Sequence, residues 1–265
     1  MTKSQINRLG ERLRAAIDLD ADLLRALQEL LSEYLGPMMK AQALVREGLG
    51  IAATARVKTV NTIIEKLRRE RTRLSRMQDL AGLRIVCGPW RDEQDAIATQ
   101  LVELFGAETV IDDRRIRPSY GYRAVHVIAK IDGFAIEIQV RTLLQDLWAQ
   151  TLERLSDVLG RGIRYGEEPA VGSDLVKHLS KIADLVAEIE ELREGHREFI
   201  ARSEKTLASN AYGQSKGPLT DEERAQLERM RDGIQKQEEV LTEHTKGLQE
   251  HLSGILKQFQ EMGLE

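Results

Sequence analysis

Cysteine is almost absent: one residue in 265, Cys87. An internal disulfide and a structural zinc site built from several cysteines are therefore excluded, which fits a reducing compartment. The five prolines give little punctuation to stretches rich in Ala, Leu, Glu, Arg and Lys. An all-β sandwich is disfavoured and a helix-heavy protein expected. Aromatic residues make up only 4% of the chain, yet 42% is hydrophobic, too much for a disordered polymer. No apolar run is long enough to span a bilayer, and the opening MTKSQINRLGERLRAAIDLD lacks the apolar centre of a signal peptide. A soluble, cytoplasmic protein without a membrane partner is the expectation. Basic and acidic residues nearly balance, 39 against 43, for a net charge of −4. That excludes a general basic coat but leaves local cationic clusters free to bind phosphate.

Hydrophobic spacing predicts the elements. Leu9, Leu13, Ile17, Leu23, Leu24, Leu27, Leu30, Leu31 and Tyr34 recur at helical spacing, with Gly36-Pro37 as punctuation, so residues 4–48 read as two or three helices. Residues 59–73 read as a further helix, apolar at Val60, Ile63, Ile64 and Leu67. The period then becomes extended over Leu83–Cys87. A helix is predicted over 92–105, and two strands over 123–131 and 134–141, joined by the hairpin pair Asp132-Gly133. Residues 143–159 return to helix. Beyond Gly172, Ile182, Leu185, Ile189, Leu192, His196 and Phe199 form a helical seam. Residues 207–219 read as a loop, Thr220 with Glu223 as a capping box, and Leu227 to Ile255 as a second seam. The division expected is 1–50, N-terminal helices; 51–170, a mixed catalytic domain; and 171–265, a helical hairpin extension.

Four features could carry chemistry. Arg56 and Lys58 precede a helix bearing Lys66 and Arg69, an arrangement suited to a polyphosphate, although a solvated basic face has the same pattern. Asp79 stands just before an extended segment that carries Arg84. A carboxylate there can hold Mg²⁺, and because the following residues look extended, helix capping is the weaker alternative. On strand 134–141, Ile136, Ile138 and Val140 point one way and Glu137, Gln139 and Arg141 the other, about 7 Å apart along the strand. Glu137 is either a metal ligand or general base, or a cross-strand partner of Arg123 or Arg141. The run Arg115-Ile-Arg117-Pro-Ser-Tyr-Gly-Tyr122-Arg-Ala-Val-His126 offers an aromatic face and cations for a nucleotide. Packed structural roles for Tyr122 and His126 stay open.

Other catalytic patterns are missing. The chain has no GxxxxGK[ST] loop and no HExxH, and Cys87 lies in an apolar strand where a thiol is inert. No histidine precedes His126, which excludes an HD-type metal hydrolase in the N-terminal part.

Taken in order, RVKTVNTIIEKLRR at 56–69, DLAGLRIV at 79–86, GYRAVH at 121–126 and EIQVRTLLQDLWAQTLE at 137–153 resemble the synthetase domain of the RelA/SpoT family of nucleotide pyrophosphokinases. The resemblance covers residues 40–165. It implies an α+β fold with a mixed five-stranded, nucleotidyltransferase-like sheet flanked by helices, and an ATP- and Mg²⁺-dependent transfer of pyrophosphate to a ribose 3′-hydroxyl. Carried over by position, Arg56, Lys58, Lys66, Arg69 and Arg84 look like ATP contacts, Asp79 and Glu137 like the catalytic, Mg²⁺-binding acids, and Tyr122, His126, Gln139 and Arg141 like the acceptor side. Arg115 and Arg117 stand near Pro118, where the family usually has lysine, so they are the candidates for acceptor phosphates. No hydrolase, TGS or ACT region accompanies the match, which implies a stand-alone small synthetase. Its acceptor would be GDP or GTP, giving the (p)ppGpp alarmone, or, as in toxic members held by an antitoxin protein, the 3′ end of tRNA. A catalytically inactive nucleotide-binding module is the third expectation, disfavoured by the presence of both acids. The helical extension is expected to form a homo-oligomer.

Overall fold

A computed structural model describes residues 1–212 and 221–262, leaving aside the side chains of 203–212, 223, 226 and 227. The described chain separates into two compact units. One comprises Met1–Cys87, Gln94–Arg117 and Ala124–Arg141; the other comprises Gly88–Glu93, Pro118–Arg123 and the described residues from Thr142 onward. This partition follows a different line from the expected boundaries at 50 and 170.

The first unit is built on a mixed five-stranded sheet: β1 (Thr54–Val57), β2 (Ala81–Val86), β3 (Val110–Asp113), β4 (Val125–Ile131) and β5 (Phe134–Arg141). Their order is β1-β2-β5-β4-β3, with only β2 and β5 parallel. The strand alternation predicted for 134–141 decides the layering. Ile136, Ile138 and Val140 join Leu83, Ile85, Val125, Val127 and Ala129 in one core, which α3 (Leu35–Leu49) and α5 (Arg91–Phe105) cover with Met38, Ala41, Val45, Ile97 and Leu101. A buried side chain of this size contributes about 1.5–3 kcal/mol, so this face fixes the register of every strand. The hairpin pair behaves as predicted: Ile131 pairs with Phe134 across Asp132 and Gly133, whose φ values are +50° and +86°.

A second core in this unit joins α1 (Lys3–Ala15), α2 (Ala21–Glu33) and α4 (Val60–Glu70). Leu9, Leu13, Leu23, Leu27, Leu30, Ile63, Ile64 and Leu67 close around Leu74, Met77 and Leu80. Two sequence expectations are corrected here. Ile17 is not part of a helical face, because α1 ends at Ala15 and Ile17 is 94% exposed. The helix predicted to reach 73 stops at Glu70, since Arg71 adopts the left-handed conformation.

The second unit is helical: α6 (Leu143–Leu159), α7 (Ser173–Tyr212) and α8 (Asp221–Glu261). α6 opens on a full capping box, Thr142 with Gln145. Trp148, Leu152 and Leu155 of α6 pack with Leu179, Ile182, Val186 and Ile189 of α7 and with Leu248 and Leu252 of α8. Arg193 meets Glu238 at 3.5 Å, and the His178 and His251 rings lie 6.0 Å apart, so α7 and α8 run antiparallel. The hairpin is thus closed by α6. Within its core Glu190 accepts from Thr142 Oγ1 at 2.6 Å, Gln145 Nε2 at 3.0 Å and Arg91 Nε at 3.1 Å, which satisfies a fully buried carboxylate.

The predicted seam on α7 was only half right. Ile182 and Ile189 are buried, but Leu185, Leu192 and Phe199 are exposed, because Ala183, Val186 and Ala187 turn the buried stripe away from them. Residues 207–212, expected as loop, are helical. The rest of that loop and Thr220 lie outside the described residues, as do the side chains of Glu223 and Leu227. Among the described residues no helix is long and apolar enough to cross a membrane.

Candidate active site

Cross-strand pairing brings the polar positions together. Residues paired directly across a sheet share a face. One row runs Arg56, Gly82, Glu137, Ile128, and the next runs Thr54, Arg84, Gln139, His126, Asp112. Arg141 pairs with Val86 on the same face of β5. Residues separated by 85 positions in sequence, from Arg56 to Arg141, therefore stand on one side of the sheet, opposite the apolar core.

Glu137 is the centre of this face and is buried. His126 donates from Nδ1 to Glu137 Oε1 at 2.8 Å, and Gln139 Nε2 donates to Oε2 at 2.8 Å. Arg141 Nη2 then donates to Gln139 Oε1 at 2.8 Å, fixing which way that amide points. Burial alone would raise the Glu137 pKa. The hydrogen bond and charge of His126 and the bond from Gln139 outweigh it and hold the group below the usual carboxylate value, while the negative charge of Asp79 acts upward. Glu137 is thus a carboxylate at neutral pH, with lone pairs left on both oxygens. The alternative of an ion pair with Arg123 or Arg141 is replaced by this histidine and amide clamp.

Asp79 sits at the entry to β2. Its Oδ2 accepts from Lys58 Nζ at 2.5 Å and from Lys66 Nζ at 2.8 Å. Burial pushes its pKa up, but the two ammonium groups pull harder and bring it to about 2. Its other oxygen, Oδ1, is buried and has no hydrogen-bond partner among the described residues. A buried carboxylate oxygen without a donor is costly unless something else is to be bound there. Lys58 is placed by the end of β1, where its N–H bonds Leu80 O at 2.9 Å, and Lys66 by α4, whose Ile63, Ile64 and Leu67 are buried. Arg69, one turn further, is exposed and pairs with Glu70 at 3.0 Å.

The remaining predicted residues divide. Arg115 is largely enclosed: Asp113 takes its Nε at 2.9 Å and Nη2 at 2.7 Å, Asp95 takes Nη2 at 2.6 Å, and Gln94 takes Nη1 at 3.1 Å. Those carboxylates overcome burial and raise its pKa further. Arg117 is exposed. Tyr122 belongs to the second unit, where it packs beside the Trp148 cluster. It closes a tight turn in which Ser119 and Tyr122 exchange backbone bonds, and Tyr120 and Gly121 both have positive φ. A Cβ on Gly121 would come 2.9 Å from both the Trp148 ring and the Ala183 methyl, which explains the glycine between two tyrosines. Cys87, as expected, is a buried structural thiol.

Sequence reasoning passed over Gly82. A Cβ there would lie 2.3 Å from the Glu137 carbonyl oxygen, so β2 and β5 close to hydrogen-bonding distance only around a glycine. The signal was present, a glycine inside a strand. Gly82→Ala is expected to push β2 from β5 beside Glu137 and to cost about 1–3 kcal/mol, measured as a lower urea midpoint; an unchanged midpoint would show that the strands yield freely.

Residues 55–156 match the family described as "Region found in RelA / SpoT proteins". An uncharacterized protein of Mycobacterium tuberculosis is 37% identical over 175 residues, 63% of each chain, and a GTP pyrophosphokinase of Bacillus subtilis is 36% identical over 110 residues, 36% of this chain and 51% of that protein. The chain thus spans less than two thirds of the length of these curated relatives. Among solved structures, the small alarmone synthetase 2 of B. subtilis has the same fold, with a TM-score of 0.51 and 20% identity over 66% of this chain and 98% of that one. The chain therefore carries, over residues 55–156, the region found in RelA/SpoT proteins, on the mixed five-stranded sheet that the resemblance implied.

Proposed function

We propose that the protein is a pyrophosphokinase that transfers the β,γ-pyrophosphate of ATP to the ribose 3′-hydroxyl of GDP or GTP. The observation that carries this reading is a buried carboxylate, Glu137, on the polar face of the sheet, within electrostatic reach of a second, half-buried carboxylate, Asp79, that Lys58 and Lys66 hold. The 36% identity to a GTP pyrophosphokinase supports the guanine acceptor.

In the reaction, Glu137 accepts the proton of the 3′-hydroxyl on a carboxylate oxygen. The freed oxygen forms a bond to the β-phosphorus of ATP, the bond from that phosphorus to the α,β-bridging oxygen breaks, and AMP leaves. His126 and Gln139 keep the carboxylate ionised and aimed, so the base needs no reorganisation during the step. Lys58, Lys66, Arg56, Arg69 and Arg84 bind and orient the triphosphate and meet the charge that grows on its oxygens. Gln139, Arg141 and Arg117 serve the acceptor nucleotide. Asp79 and Glu137 suit Mg²⁺, because a hard cation takes one or two carboxylates with phosphate oxygens and water, and Asp79 Oδ1 waits buried without a donor. When bound there, Mg²⁺ would neutralise charge on the phosphoryl oxygens.

Incubation with ATP labelled in its γ-phosphate, in parallel with GDP, GTP and deacylated tRNA, tests the assignment. Label is expected in guanosine tetra- or pentaphosphate. Label found in tRNA alone, or in no acceptor, would overturn it.

A further inference from the structure

Asp79 is compensated twice over by lysines of its own chain. Lys58 and Lys66 both reach the same oxygen, Oδ2, and all three side chains are largely withdrawn from water, with 18%, 22% and 17% exposure for Lys58, Lys66 and Asp79. These lysines are placed by the end of β1, through the Lys58 N–H bond to Leu80 O, and by the packed helix α4. A divalent cation that approached alone would meet two fixed positive charges on the very carboxylate it needs. A polyphosphate changes that balance, since its oxygens offer both ammonium groups a stronger partner than one carboxylate oxygen. Glu70, 4.0 Å from Lys66, gives that lysine a second resting place once it leaves Asp79.

We infer that Lys58 and Lys66 form a charge lock on Asp79 that opens only when a polyphosphate draws the ammonium groups away, so that the metal carboxylate becomes available together with the donor and not before it. The inference rests on the donor and metal roles proposed above. It orders the loading of the site: the free protein is a poor metal binder, and donor and metal enter as one complex. A site that held its cation in advance would repel both lysines from the triphosphate path. The lock instead keeps them aligned on the point where the phosphates arrive.

The probe is Mn²⁺, followed by the electron paramagnetic resonance of the free ion, with no acceptor present. The parent protein is expected to bind Mn²⁺ weakly alone and much more tightly with a non-hydrolysable ATP analogue. Lys66→Met and Lys58→Met should each tighten nucleotide-free Mn²⁺ binding by about tenfold, because each removes one opposing charge. Adding Asp79→Asn to Lys66→Met should cancel that gain, which locates the ion. Circular dichroism confirms folding; should Lys58→Met fail to fold, Lys66→Met decides alone. Lysine variants that bind Mn²⁺ no better than the parent, or a gain that survives Asp79→Asn, would overturn the lock. No transfer enters this measurement, so failure to pyrophosphorylate guanine nucleotides would remove the proposed function while leaving the Mn²⁺ result to stand or fall separately.

Discussion

Glu137→Gln should lower the rate of pyrophosphate transfer by about 10²–10⁴-fold, the range typical of a lost general base, while ATP binding changes little. The substitution removes a negative charge and a proton acceptor but keeps the size and shape of the side chain. In the parent, Oε1 accepts from His126 and Oε2 from Gln139. A glutamine can still accept from His126, but its own amide N–H then faces the Gln139 donor. Gln139 cannot simply turn over, because Arg141 holds its oxygen at 2.8 Å. The clamp is therefore loosened on one side, a modest stability cost set against a large kinetic one. Isothermal titration of ATP and single-turnover kinetics separate the two effects. A variant that transfers at the parent rate would remove Glu137 as the base, and one that lost ATP binding to the same extent as rate would move it to the donor side.

The clamp also shows what could and could not be read in the chain. Alternation in Phe134–Arg141 already placed Glu137, Gln139 and Arg141 on one face, because the strand period is two and the other face is entirely apolar. The pairing of Ile128 with Glu137, and hence the approach of His126, depends on register, which the Asp132-Gly133 turn sets. β1 and β3 were not visible as strands. Each has four residues, three of them exposed, so neither carries a burial pattern of its own. They exist through their ladders to β2 and β4. The α7 seam was misread for a related reason: helical spacing identifies an apolar stripe, but α7 carries two, and only packing with α6 and α8 decides that Ile182 and Ile189 are covered while Leu185 and Leu192 are not. The lysine contacts of Asp79 were equally out of reach. Lys58, Lys66 and Asp79 were each legible as candidates, yet as donor ligands and metal ligand, not as one another's partners.

That mutual contact gives Asp79→Asn two separable effects. At neutral pH the variant should lose transfer by about 100-fold or more, since a neutral amide is a poor ligand for a hard cation. It should also lose about 2 kcal/mol of stability, the linkage equivalent of a carboxylate whose pKa falls from 3.8 to about 2 on folding. The sign follows from the direction of that shift. A depressed carboxylate binds its proton less readily when folded, so its contribution is present above 3.8 and is lost as pH falls through about 2. Urea midpoints of the parent and Asp79→Asn should accordingly differ at pH 7, differ less at pH 3, and converge near pH 2. A gap that persisted at pH 2 would mean that Asp79 supports the fold through its hydrogen-bonding geometry and not through its charge. Convergence would tie the same ion pairs to both properties: the charge that steadies the entry to β2 in the free protein is the charge that the lysines must give up when donor and metal arrive.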